Sequence, residues 1–166
     1  VADYNDGTDT PDGWYCSAYQ DYTGWTPSIA TQCANGRLYD TPGRITGVKR
    51  LGKDCIIYKE NAVYLGQWVA GDIIWAWTLV SGEIGALTQE SIINIETAHL
   101  FVGKNDIWLF DGTRPVSIGE GIKKWFFNDL NMAYRENVIG AHDREKSLVY
   151  FYYPDTTSTG ICNACI

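Results

Sequence analysis

Residues Ser91–Gly119, SIINIETAHLFVGKNDIWLFDGTRPVSIG, decide the fold. Three short apolar runs stand out: Ile92-Ile93-Asn94-Ile95, His99-Leu100-Phe101-Val102 and Ile107-Trp108-Leu109-Phe110. A weaker fourth, Pro115 to Ile118, follows. Glu96-Thr97, Gly103-Lys104-Asn105-Asp106 and Asp111-Gly112-Thr113 separate them, and such residues cap reverse turns or tolerate positive φ. Four short strands joined by tight polar turns predict an antiparallel meander. Alternating and continuous apolar patterns are mixed, as in a small sheet covered on both faces.

The pattern recurs on either side. Ile45–Leu51, Cys55–Tyr58 and Ala62–Gly66 overlie it strand by strand, and Val138–His142 with Leu148–Tyr153 match its first two strands. A repeat of about 46 residues with up to four strands per unit is the sequence signature of β-propeller blades. The expected fold is therefore all-β: a β-propeller-like repeat of short antiparallel four-stranded blades with one short helical insertion. A sandwich or barrel with evenly spaced strands is the alternative.

Going outward, residues 1–13 read as an acidic loop, 14–153 as blades of a partial propeller, and 154–166 as a polar tail. Trp14–Tyr19 is a strand candidate, and residues 28–44 read as a mostly irregular connection. Ile73–Val80 fits the fourth strand of the unit that starts at Ile45. Glu120–Asn131 has Ile122, Trp125, Phe126 and Leu130 at helical spacing, which predicts a short amphipathic helix. The 166 residues hold about three and a half units, and propellers close with roughly four to eight blades. The expectation is a piece of a longer chain, or a chain that a partner completes.

Composition supports a turn-rich β protein: 14% aromatics, 17 glycines and one methionine. The net charge is −7, and residues 1–36 hold five aspartates with no Lys or Arg. The remainder, with 13 bases against 15 acids, carries no basic stripe, which argues against phosphate-neutralising nucleic-acid binding. No run is long and apolar enough to span a bilayer, so no membrane partner is expected. Five cysteines cannot all pair within one chain, and Cys55 sits in an apolar run, so a reduced, cytosolic fold is expected.

Chemistry-bearing motifs are sparse. GxSxG, HExxH and Gly-Lys-Ser/Thr loops are missing, so no catalytic residue and no cofactor is assigned. Asp3, Asn5, Asp6 and Asp9 around Gly7 lack the spacing and the distal Glu of an EF-hand, and a solvated turn cluster is expected. The Cys162–Cys165 pair has no second ligand pair, so no metal is assigned. Glu83 with Glu90, or Asp106 with Asp111, would serve a glycosidase only if two carboxyls faced one another across a sugar. Trp75, Trp77 and Trp108 are candidate sugar platforms, although strand tryptophans at period two more often pack a core. Trp125, Phe126 and Phe127 are candidate contacts with neighbouring subunits.

Ile45–Gly66, Ser81–Ile92 and His99–Ile122, with WTPSIATQ from Trp25 and WFFNDLN from Trp125, resemble a family of tailed-bacteriophage structural proteins. These are the packaged-DNA stabilisation, tail-hub or nozzle proteins of short-tailed phages. The resemblance covers roughly residues 14–153 and implies a propeller-bearing subunit in a homo-oligomeric ring around the DNA exit channel. It further implies a place in the virion tail after synthesis in the bacterial cytoplasm. Other tail or portal-adaptor proteins would be its partners, and double-stranded DNA would pass without sequence-specific binding. It carries over no catalytic residue. Family members are normally several hundred residues long, a departure that leaves ring formation by this chain alone open. Host attachment through carbohydrate binding is the alternative function.

Overall fold

The computed structural model describes every residue except Asp6, and at Asn5 the backbone alone. The protein is 45% strand and 8% helix, in antiparallel sheets of three or four strands. Strands follow one another in chain order. The first sheet holds β1 (Ala2–Asn5), β2 (Asp9–Cys16) and β3 (Ala34–Arg37). The second holds β4 (Ile45–Leu51), β5 (Asp54–Lys59), β6 (Val63–Trp68) and β7 (Trp75–Ser81). The third is β8 (Ile92–Asn94), β9 (His99–Val102), β10 (Ile107–Phe110) and β11 (Pro115–Ser117), as the repeat predicts. β12 (Ile139–Asp143), β13 (Leu148–Tyr153) and β14 (Ala164–Cys165) form the fourth. The first strands begin at residues 2, 45, 92 and 139, intervals of 43, 47 and 47.

Local chemistry sets the turns. Gly52 takes φ +59° in the two-residue loop between Leu51 and Asp54. At the β10–β11 turn, Gly112 has φ +97° and the Asp111 carboxylate accepts from the Thr113 N–H. Asp143 accepts from the backbone of Glu145 and Lys146 and closes the β12–β13 turn.

Isolated sheets this small are marginal in water, and the stack is what stabilises them. Three apolar clusters lie between successive sheets. Trp14, Ile45, Ile57 and Tyr64 fill the first gap. Ile56, Tyr58, Ile92, Phe101 and Phe110 fill the second. Ile93, Val102, Phe126, Phe151 and Tyr153 fill the third. Each such side chain contributes about 1.5–3 kcal/mol on burial. The first strands run side by side, β1 on β4, β4 on β8 and β8 on β12. They come close enough that a Cβ on Gly47 would strike Ile92, and one on Gly140 would strike Ile93.

Two expectations are corrected. Residues 1–13 are not simply an acidic loop: Ala2 pairs with Trp14 and Tyr4 with Thr10 across a bulge. The charges do not prevent pairing because Asp3 meets Arg44 at 2.9 Å and Asp12 meets Arg37 at 2.7 Å. The region 154–166 is likewise no free tail. Ala164 and Cys165 pair with Tyr153 and Tyr152, and Ile166 exchanges backbone hydrogen bonds with Phe151. The 28–44 connection contains β3. The partial calcium-loop pattern includes Asp6, which lies outside the described residues.

His99 is wholly buried between the second and third sheets. Its Nδ1 lies 2.9 Å from the Tyr58 hydroxyl and its Nε2 3.0 Å from the Arg50 carbonyl oxygen. The neutral ring fits: Nε2–H donates to the carbonyl, and Nδ1 accepts from the tyrosine. Burial holds the His99 pKa below its usual 6.5. The unfolded chain therefore takes up this proton first, so stability is complete above pH 6.5 and declines as pH falls below it. Thermal melts from pH 8 to 5 should show this loss, and His99→Gln should flatten the slope in that window.

Candidate functional site

The connector between β7 and β8, residues 82–91, hydrogen-bonds to three of the sheets. It runs as GEIGALTQES from Gly82. Gly85 lies against the backbone of Lys59–Asn61, and Ala86 N–H donates to Lys59 O at 3.2 Å. Leu87 N–H reaches Val102 O at 2.9 Å. The Gln89 amide straddles Val48, accepting its N–H at 2.6 Å and donating to its carbonyl at 3.1 Å. Thr88 Oγ1 donates to Val138 O, and Glu90 O accepts from Gly140 N–H at 2.8 Å. Thr88 and Ser91 exchange side-chain and backbone hydrogen bonds that fix the turn. One segment thus clasps the second, third and fourth sheets.

The helix α1, Lys123–Asp129, forms within the predicted span. Its apolar stripe is narrower than expected. Phe126 is fully buried beneath Tyr153 and cannot meet a neighbouring subunit, which corrects its assignment as a contact. Phe127 is partly buried against the same cluster. Trp125 projects instead, 56% exposed, with its ring edge-on to Tyr153. Helical rotation separates adjacent positions by about 100°, so the three aromatics cannot share one face.

Trp75 and Trp77 stack at 5.8 Å and 20°, and Trp14 of the first sheet lies 5.3 Å from Trp77. Both strand tryptophans are half-buried and pack against the first cluster. With Tyr15, Trp25 and Cys55 they line an open cavity of about 270 Å³. The Trp77 Nε1–H is buried and lacks a hydrogen-bond partner among the described residues. Burial raises the Cys55 pKa to about 11, which keeps the thiol protonated at neutral pH. Trp108 belongs elsewhere, packed against the second cluster.

Asp106 and Asp111 do not form a hydrolytic pair. Asp106 is buried and accepts from Lys123 Nζ at 2.6 Å, Ser117 Oγ at 2.9 Å and Ile107 N–H at 2.9 Å. Burial alone would raise its pKa, but these bonds and the lysine charge outweigh that and hold it low. Asp111 stands at the other end of β10, about 16 Å away along the strand, well beyond glycosidase spacing. Among the described residues no group of three or more His, Cys, Asp or Glu is placed to hold a metal. Cys162 Sγ donates to Asn137 O, and Cys165 is exposed. The fold does bring Cys33 beside Cys16 across β2 and β3, with Cys33 Sγ 3.2 Å from the Cys16 carbonyl. Among the described residues no helix is long and apolar enough to cross a membrane.

Comparison with protein-family models finds no match to this chain, and comparison with curated proteins finds none either.

Proposed function

We propose that the chain is a β-propeller-type structural module of a short-tailed phage virion, acting in a ring at the DNA exit channel without catalytic turnover. The observation that carries this is the stack of four antiparallel sheets in chain order, with their first strands side by side. Such first strands are the innermost elements of propeller blades. Residues that resemble the phage family serve this stack: Gly85 to Ile92 clasp three sheets, and His99 to Ile118 make the third. The exposed Trp125 is the helix residue suited to a neighbouring tail or portal-adaptor protein.

The charge agrees with a channel that retains and passes DNA without gripping its phosphates. At −7, with Asp3, Asp12 and Asp106 neutralising nearby bases internally, the surface offers duplex phosphates no gripping stripe. A gel-shift titration with a duplex of about 30 base pairs at ~0.1 M salt should show no complex. A shift that weakens with added salt would overturn passive passage. The functional test is negative-stain imaging of the chain alone and mixed with portal-adaptor and tail proteins. Rings with a central hole are expected; a chain that joins neither itself nor those proteins would sink the reading.

A second reading, carbohydrate binding in host attachment, draws on the Trp14–Trp77–Trp75 stack beside its cavity, since apolar sugar faces stack on indole. A defined glycan bound by the wild type and lost in Trp77→Ala, with the far-UV spectrum unchanged, would favour it.

A further inference from the structure

The second strand of every sheet alternates between two neighbours. In β5, Ile57 faces back to the first sheet, while Ile56 and Tyr58 face forward to the third. In β9, Phe101 faces back to the second sheet and Leu100 and Val102 face forward to the fourth. In β2, Trp14 and Cys16 face forward to the second sheet, so by strand alternation Tyr15 faces back. In β13, Phe151 and Tyr153 face back to the third sheet, which turns Tyr150 and Tyr152 forward. Three forward faces, those of the first, second and third sheets, are covered by the sheet that follows. The fourth is not.

That uncovered face is largely apolar, with Asp143 beside Leu148 at one end. Cross-strand pairing sets Ile139 beside Tyr152, Ala141 beside Tyr150 and Cys165 on the other flank of Tyr152. The two tyrosines stack at 6.3 Å and 27°. Ile139, Leu148 and Tyr152 are each between 42% and 46% exposed. At the opposite end, the backward face of the first sheet carries Tyr15 edge-on to Tyr4 and 5.5 Å from Trp25, with exposed Asn35 opposite Tyr15. The molecule therefore presents one open forward face, and a backward face on which Tyr4 and Trp25 partly cover Tyr15, of the kind that pack together three times inside it.

We infer that a second copy of this chain docks head to tail, its first sheet covering the Tyr150/Tyr152 face of the fourth sheet. This rests on reading the sheets as propeller-type units, not on the virion assignment. Such contacts are heterologous and form a ring when the rotation closes. Two copies supply eight sheets, the upper end of common propeller rings.

Light scattering on the purified chain, across a dilution series, reads the mass against the 18.6 kDa single chain. Wild type is expected at two chains or more. Tyr152→Lys, on the forward face, and Asn35→Lys, on the backward face, are each expected to abolish closed assemblies at unchanged circular dichroism and melting temperature. Leu148→Lys replaces Tyr152→Lys if the latter fails to fold. Mixing the two variants should restore a two-chain species, because each retains the face the other lacks. A strictly monomeric wild type, or assemblies indifferent to both variants, overturns the proposal. So does loss of association in Tyr152→Lys alone, which would mean fourth sheets packing on each other. Rings that persist in both variants refute this interface and leave the channel reading standing. Self-association without binding of tail proteins does the reverse.

Discussion

Lys59→Ala is expected to destabilise the fold by about 3–5 kcal/mol. Lys59 ends β5 with its side chain wholly buried, and its ammonium donates to the carbonyls of Leu38, at 2.7 Å, and Thr41. These carbonyls belong to the chain that crosses from the first sheet to the second. Truncation opens a cavity and orphans both. Lys59→Met keeps the volume and sheds the cost of burying a charge, so it should lose only about 1–2 kcal/mol. Denaturant titration of the two variants gives the comparison; equal losses would mean that packing alone matters. The pH behaviour provides a second check. Burial lowers the Lys59 pKa beneath 10.5, so the folded state holds this proton less tightly than the unfolded chain. Stability from this group is complete above pH 10.5 and is lost as pH falls toward the folded pKa. Lys59→Met should remove that alkaline gain.

Gly85→Ala is expected to cost more than about 4 kcal/mol or to prevent folding. A Cβ there would collide with the Lys59 carbonyl oxygen and lie 2.6 Å from Glu60 C and 2.7 Å from Asn61 N. All three are backbone atoms in the β5–β6 turn, so no rotamer change relieves the clash. The connector would lift, taking with it the Ala86, Leu87 and Gln89 bonds that hold the second and third sheets. Ser81→Ala, a few residues earlier, serves as control. It removes only hydroxyl bonds to Glu83 and Ile84 N–H of 3.4 and 3.3 Å, and should cost under about 1 kcal/mol. Soluble yield and denaturation midpoints separate the two.

The third sheet was legible in the sequence because its signals are local. Asp111-Gly112 and Gly103–Asp106 specify turns through their own side chains, and the strands between them need only alternate. The first sheet was hidden for the opposite reason. Ala2–Asn5 is only four residues long, its register is broken by a bulge, and Asp3 within it and Asp12 in β2 are met by Arg44 and Arg37 from far along the chain. β14 escaped notice because two residues have no period. At the helix, spacing found the element, but only tertiary packing decided that Phe126 turns inward and Trp125 outward. The clasp was least visible of all. Gln89 meets Val48 across 41 residues, and Thr88 meets Val138 across 50, so nothing near either residue announces the bond. Trp75 and Trp77 were found as a pair; Trp14 and Trp25, which complete their cavity, come from another sheet and a loop.

Among the described residues, every strand pairs only with strands adjacent to it in sequence. Each ladder thus closes a short loop, at little entropic cost, before any distant partner is required. A nascent chain emerging from the ribosome could zip each meander as it clears the exit and stack it on the one before. Synthesis and folding would then advance together, with the clasp at residues 82–91 translated ahead of the two sheets it receives. A slow step is expected where Leu87 and Thr88 must wait for Val102 and Val138. Variants in this segment should therefore retard folding more than they speed unfolding.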